Sequence, residues 1–234
     1  MTSILLTTMG TTWQIPPELV GFTNPERVDL YRIHPFQEHI QKTWKENGID
    51  PVDELWIVTT TGRVDQDVQK VNDQHCLLSD PMNLNIWQVA NSDDLGTEAE
   101  CSHMKEAILR IVLHTCEQSR NGRLILSLAG GRKTMSSDMQ FSASVFGCHA
   151  LLHGIDHWEF PKQIKTYPPR DFTVPIPKDC SKGITPLVTG RYTRNFLVDM
   201  ELDNQPLTTI CRRKPSTNRK PVSLELIRKK RNKN

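Results

Sequence analysis

Apolar residues recur along this chain in two rhythms, and the two alternate. Short near-continuous apolar runs at Thr2–Thr8, Glu54–Thr60 and Leu124–Ala129 have the length and composition of strands buried on both faces. Leu84–Val89 is a weaker run of the same kind, and Ala150–Trp158 makes a fifth. Between them the apolar spacing switches to three and four. Pro35–Gly48 places Phe36, Ile40 and Trp44 four apart and stops at a glycine, and Val64–Leu78 puts Val64, Val68 and Val71 on one face. Thr97–Ser119 opens on Thr97-Glu-Ala-Glu100, a capping box, and carries an apolar stripe of Met104, Ala107, Ile108, Ile111, Val112 and Thr115. Thr134–Phe146 turns Met135, Met139, Ala143 and Phe146 to one side.

Five strands interleaved with helices predict an α/β fold, a Rossmann-like doubly wound and mainly parallel sheet over residues 1–160. Beyond Trp158 the rhythm breaks. Pro161, Pro168, Pro169, Pro175, Pro177 and Pro186 exclude a long helix, so 161–210 reads as a Pro-rich extension with short strands at Phe172–Ile176 and Asn195–Leu202, or as a lid. Residues 211–234 read as a basic, flexible tail.

Charge sharpens that division. The net charge is +2, but from Cys211 onward ten basic residues face a single acid, Glu225. That segment carries +9 and leaves −7 on the other 210 residues. An acidic body argues against a broad nucleic-acid-coating surface there, and leaves the tail free to touch nucleic acid or an acidic partner, a solvated end being the simpler reading. The six cysteines are scattered, without a Cys-x-x-Cys pair, which suits free thiols in a reducing compartment. No apolar run spans a bilayer and the start lacks a basic export segment, so a cytoplasmic protein without membrane contact is expected.

Candidate chemistry concentrates where the strands end, the edge at which such sheets bind ligands. The fourth run leads through Ser127-Leu-Ala-Gly-Gly-Arg-Lys-Thr134 into a helix. Gly130 and Gly131 let the backbone approach a ligand, and the helix-opening amides have no intrahelical acceptor and suit an anion. Arg132 adds a planar fork of donors and Lys133 a mobile charge, two complementary grips on phosphate. A tight turn with two solvated charges is the alternative. The first strand ends in Thr7-Thr-Met-Gly-Thr-Thr-Trp13, where Thr8, Gly10, Thr11 and Thr12 supply hydroxyls and amides and Trp13 offers either a stacking plate or a packing aromatic. The second ends in Thr59-Thr-Thr-Gly-Arg63, bringing Thr60 and Arg63. The first and fourth strands of a doubly wound sheet can flank its switch point, so their loops are expected at one pocket. Asn91-Ser-Asp-Asp94, after the third strand, suits a ribose or a metal, but more simply starts a helix.

At this point the residues resemble a family. The Thr-Thr-Met-Gly-Thr-Thr-Trp loop, and above all Ser127-Leu-Ala-Gly-Gly-Arg-Lys-Thr-Met-Ser136, resemble the two signature regions of CRISPR-associated Rossmann-fold (CARF) domains, especially those of small stand-alone proteins of type III CRISPR loci. The resemblance implies a homodimer whose two-fold axis passes through a shared pocket, with a cyclic oligoadenylate messenger lying across both subunits. It implies ligand contacts from Thr8, Gly10, Thr60, Arg63, Ser127, Gly130, Gly131, Arg132 and Thr134. CARF domains often control a HEPN ribonuclease with an Arg-x4-6-His motif. Arg32 and His39 fit that spacing formally, but they sit beside the first helical segment, so the match is read as chance.

Without an effector, two roles follow from the resemblance. One is a ring nuclease, metal-independent and cofactor-free, in which a ribose 2′-hydroxyl attacks the neighbouring phosphate to give a 2′,3′-cyclic phosphate. Thr11, Thr12, Trp13 and Lys133 are then the expected catalytic residues, with cyclic tetra-adenylate the favoured ring because an even ring matches two-fold symmetry. The other is a non-catalytic sensor acting on nucleic acid or a protein partner. An ordinary nucleotide-using Rossmann enzyme is the weakest reading: neither Gly-x-Gly-x-x-Gly nor a P-loop is present. His34 and His39 follow the first loop but read as structural or surface residues. His149, His153 and His157 read as strand residues too far apart for a zinc site.

Overall fold

A computed structural model describes residues 2–119, 122–156 and 184–192. Its strands are β1 (Ile4–Met9), β2 (Glu54–Thr59), β3 (Asn83–Gln88), β4 (Leu124–Ser127), β5 (Cys148–Asp156) and β6 (Ile184–Tyr192). Its helices are α1 (Ile15–Thr23), α2 (Gln37–Glu46), α3 (Asp65–His75), α4 (Glu98–Gln118) and α5 (Lys133–Phe146). One sheet runs in the order β3-β2-β1-β4-β5-β6. Its first five strands are parallel and β6 is antiparallel to β5. This is the doubly wound Rossmann-like sheet that the alternating rhythms predict.

The strand runs are continuously apolar because successive residues feed two different cores. Leu5, Leu55, Ile57 and Ile125 face one core with Leu19, Val20 and Phe22 of α1, Ile40 of α2 and Val71 of α3. Ile4, Leu6, Trp56, Val58, Leu124 and Leu126 face the other, built on Met104, Ile108, Ile111 and Val112 of α4 and Met135, Met139 and Ala143 of α5. Helices therefore cover both faces of the sheet. The α4 cap forms as its sequence predicts: Thr97 Oγ1 accepts from the Glu100 amide at 3.2 Å, and Glu100 accepts from the Thr97 amide at 3.0 Å.

Several elements depart from the sequence reading. Residues 15–23, to which the apolar spacing assigned no element, are helical. Pro16 and Pro17 occupy the first turn, where the missing amide hydrogens cost no intrahelical bond, and Pro16–Thr23 are all buried, so no amphipathic stripe marks the helix. Gly21 lets this helix close onto Leu30, whose Cβ would lie 2.7 Å from any side chain there. Phe36, expected on the buried face of α2, is exposed. The fifth strand begins at Cys148, directly after Gly147, and not at Ala150. β6 carries Pro186 and Gly190 and was not anticipated; on a sheet edge a proline is tolerated because the missing donor faces away from the ladder. The strands expected at 172–176 and 195–202, His157 and the basic tail lie outside the described residues. Among the described residues no helix is long and apolar enough to cross a membrane. Cys76 and Cys101 are free thiols.

On α5, Asp138 holds its proton above the ordinary carboxylate value of 3.8, because burial outweighs the attraction of Lys105 on α4. Ionising it costs folded-state stability, and that cost grows as pH rises through the carboxylate range. Asp138→Asn is therefore expected to raise the urea midpoint at pH 7 and to leave it unchanged near pH 3, at which both forms are uncharged, as read by fluorescence-monitored unfolding at the two pH values.

Candidate functional site

The order β2-β1-β4 puts the sheet's switch point between β1 and β4, since the chain winds outward in opposite directions on either side. Two loops meet there. Gly10, just past β1, lies so close to the turn after β4 that a Cβ on it would be 3.3 Å from the Gly131 Cα. Gly130 and Gly131 both adopt left-handed backbone, at φ +86° and +70°. A Cβ on Gly130 would run into the Thr8 carbonyl oxygen, and one on Gly131 would meet the Met135 sulfur at 2.8 Å. Neither turn position accepts a side chain.

Hydroxyls lock the contact from beneath. Thr7 donates to the Ala129 carbonyl at 3.2 Å and Thr8 to the Gly130 carbonyl at 3.1 Å. Ser127 accepts from the Ala129 amide at 3.0 Å, and Ser136 donates to the Leu128 carbonyl at 2.9 Å. Thr8 and Ser127 are fully buried at 0% exposure. Both were expected to touch ligand; in the structure the Thr8 hydroxyl ties the β1 loop to the turn after β4, and Ser127 braces that turn from within. A sequence marks such hydroxyls as polar residues at a strand end, and cannot show that they point inward.

Above this joint lies a cavity of about 370 Å³ lined by the ends of four parallel strands. Gly10 and Thr11 come from the β1 loop, Thr60 and Arg63 from the β2 loop, and Gly131, Arg132 and Met135 from the β4–α5 turn. Six residues expected at the site thus converge on one cavity. The fourth contribution is Asp93 and Asp94, after β3, a pair whose simpler sequence reading was helix initiation. Asp93 accepts a hydrogen bond from the Thr61 hydroxyl, and Asp94 forms an ion pair with Arg132 across 38 residues of chain. The lining therefore balances Arg63 and Arg132 against two carboxylates.

The remaining expected residues border this cavity without lining it. Lys133 and Thr134 are exposed in the first turn of α5, whose amides lack intrahelical acceptors, and Thr12 is exposed beside Thr11. Trp13 is half-buried and packs with Ile15 on the core beneath α1, which makes it a packing aromatic first.

Residues set aside in the sequence are accounted for elsewhere. Arg32 pairs with Asp29 at 3.0 Å and His39 is exposed on α2. His34 is buried, with its Nδ1 accepting from the Phe36 amide at 3.0 Å. His149 lies 3.0 Å from the Gly48 carbonyl. Among the described residues no cluster of three histidine, cysteine, aspartate or glutamate side chains is arranged to hold a metal ion.

The family model described as CRISPR-associated protein NE0113 matches residues 45–181. The chain belongs to this CRISPR-associated family. The match runs from α2 past β5 and takes in the β2, β3 and β4 loops of the cavity, so the CRISPR association that the loop motifs implied is borne out, on a Rossmann-like sheet. Among solved structures the family member is similar to Enterococcus italicus Csm6 bound to cyclic hexa-2′-fluoro-hexa-dAMP, at 11% identity and a TM-score of 0.39 over 69% of this chain. The chain spans about a third, 35%, of that protein's length. A likeness of this size bears on neither activity nor ligand. No curated protein matches the chain.

The joint between the loops makes a direct prediction. Gly130→Ala combines a left-handed backbone with a collision against a carbonyl oxygen, and is expected to lower stability by about 2–4 kcal/mol in denaturant unfolding. Thr12→Ala, on the same side of the sheet but exposed, is expected to stay within about 0.5 kcal/mol of wild type.

Proposed function

We propose that this CRISPR-associated protein binds a cyclic oligoadenylate at the β1/β4 switch point, across a homodimer, and opens the ring by a metal-independent phosphodiester cleavage that ends type III CRISPR signalling. The observation that carries the reading is the cavity itself. Threonine hydroxyls, two arginines and a glycine turn opening a helix converge at the ligand edge of a sheet in a CRISPR-associated chain.

Its size favours a shared site. At about 370 Å³ it lies at the small end of the roughly 300–1,000 Å³ typical of ligand pockets, enough for a nucleotide unit and too little for a whole ring. A second copy supplies the rest. The packed helices α4 and α5 expose Leu113, Phe141 and Val145, large apolar side chains on the layer that begins at the Gly130–Lys133 turn. This face would join two copies. The basic tail would remain available to nucleic acid or an acidic partner.

The chemistry asks for placement more than for proton carriers. The ribose O2′ forms a bond to the adjacent phosphorus as the bond to O5′ breaks, and the 2′-hydroxyl proton ends on the departing 5′ oxygen. In-line orientation supplies much of the acceleration, and donors aimed at the crowded phosphorane supply more. Arg132, Lys133 and the opening amides of α5 stabilise that charge. Thr11 and Thr12 position the ribose, while Trp13 backs the loop that carries them. Thr60, Arg63 and Thr134 hold flanking phosphates.

Incubating the purified full chain with labelled cyclic tetra-adenylate or hexa-adenylate in EDTA tests this reading. Linear products ending in a 2′,3′-cyclic phosphate are expected, with Lys133→Ala slowing their appearance by about 10²-fold or more while binding persists. A ring that stays bound and intact would make the protein a sensor, and a ring that does not bind would end the proposal. Light scattering should give twice the 26.8 kDa chain mass, and Phe141→Glu should reduce it to one chain. An unchanged dimer in that variant would place the interface elsewhere.

A further inference from the structure

The ion pair across the cavity mouth gives Asp94 a role of its own. Among the described residues that line the cavity, Arg132 holds a carboxylate, that of Asp94, through one terminal nitrogen of its guanidinium, a donor that a phosphate oxygen would take in its place. We infer that Asp94 is a tethered competitor for the ligand's phosphate at Arg132, setting the affinity of the site and its discrimination against anions of low charge. The inference rests on the phosphate-binding reading of the same cavity.

Three features of the structure support this. Asp94 and Arg132 are each 57% exposed, so the pair is a weak surface one, and an arriving phosphate can open it without burying an unpaired charge. The backbone around Asp94 is nevertheless anchored on both sides. Ser92 is buried and donates to the Val89 carbonyl, while the Gly96 amide donates to Glu100 at 2.9 Å. The carboxylate therefore stays within reach of Arg132 after displacement and closes again when the site empties, a competitor held at high effective concentration. Asp93 lines the same cavity one residue earlier but accepts from Thr61, not from an arginine. The two neighbouring carboxylates thus have equal charge and different partners.

The consequence is selectivity by charge count. A ring meets the site with several phosphates and can replace the tethered carboxylate at Arg132 while others engage Arg63 and Lys133. A mononucleotide has a single phosphate to spend on the exchange, so the carboxylate competes against it more effectively. The loop after β3 takes part in recognition by withholding a donor.

Titration calorimetry on full-length Asp94→Asn, Asp93→Asn, Arg132→Gln and the Asp94→Asn/Arg132→Gln double variant tests this, with cyclic tetra-adenylate, cyclic hexa-adenylate, AMP and inorganic tripolyphosphate as probes. Asp94→Asn is expected to tighten ring binding about three- to fivefold and to raise AMP binding by a larger factor. Asp93→Asn should change either by less than about twofold, and the gain from Asp94→Asn should vanish when Arg132 is already glutamine. An equal gain in Asp93→Asn would mean a general charge effect and overturn the inference, as would a gain that survives in the double variant. Unchanged or weakened binding in Asp94→Asn would overturn it too, leaving the binding proposal intact. If no ring binds any form, the proposed function fails, and tripolyphosphate decides separately: an Arg132-dependent gain in Asp94→Asn upholds the competitor, and its absence removes it.

Discussion

Everything at the candidate site depends on two backbones meeting without side chains between them. Gly10 at the end of β1 and Gly130-Gly131 after β4 approach so closely that a methyl group on Gly130 would strike a carbonyl oxygen. That contact brings the β1 loop and the start of α5 to opposite sides of one opening at the switch point of the sheet. The buried hydroxyls of Thr7 and Thr8 fix it from the core side, and the Ser127 oxygen braces the turn after β4. A rigid joint of this kind matters because electrostatic stabilisation of a reacting phosphate is effective only when its donors are already in place.

The charges above the joint follow a different logic. Arg63, Arg132, Asp93 and Asp94 line the cavity in equal numbers, so the site is not a simple basic trap. In the proposed reading, net attraction for a polyanion comes from residues beside the cavity, Lys133 and the first-turn amides of α5, and from the exchange of Asp94 for phosphate at Arg132. This arrangement fits a body that carries −7 while a separate tail carries +9.

Much of this was legible in the sequence because the sheet is buried on both faces. β1, β2 and β4 announce themselves as apolar runs, and the capping box of α4 is written in Thr97 and Glu100. What escaped did so for identifiable reasons. α1 is hidden by two prolines that open it and by burial on every side. β6 is hidden by Pro186 and Gly190, and pairs with a strand that ends 28 positions before it begins. The burial of Thr8 and Ser127 was not legible because a strand residue's facing is undefined by pattern when both faces are apolar. Asp94 acquires its meaning only from Arg132, 38 residues away.

In the proposed function the cavity of one chain is half of a cyclic oligoadenylate site. The most direct measurement is the stoichiometry of binding, by titration calorimetry of the full chain with cyclic tetra-adenylate and cyclic hexa-adenylate in EDTA at a temperature low enough to suppress cleavage. Saturation at one ring per two chains is expected. Saturation at one ring per chain, or the absence of binding to either ring, would contradict it.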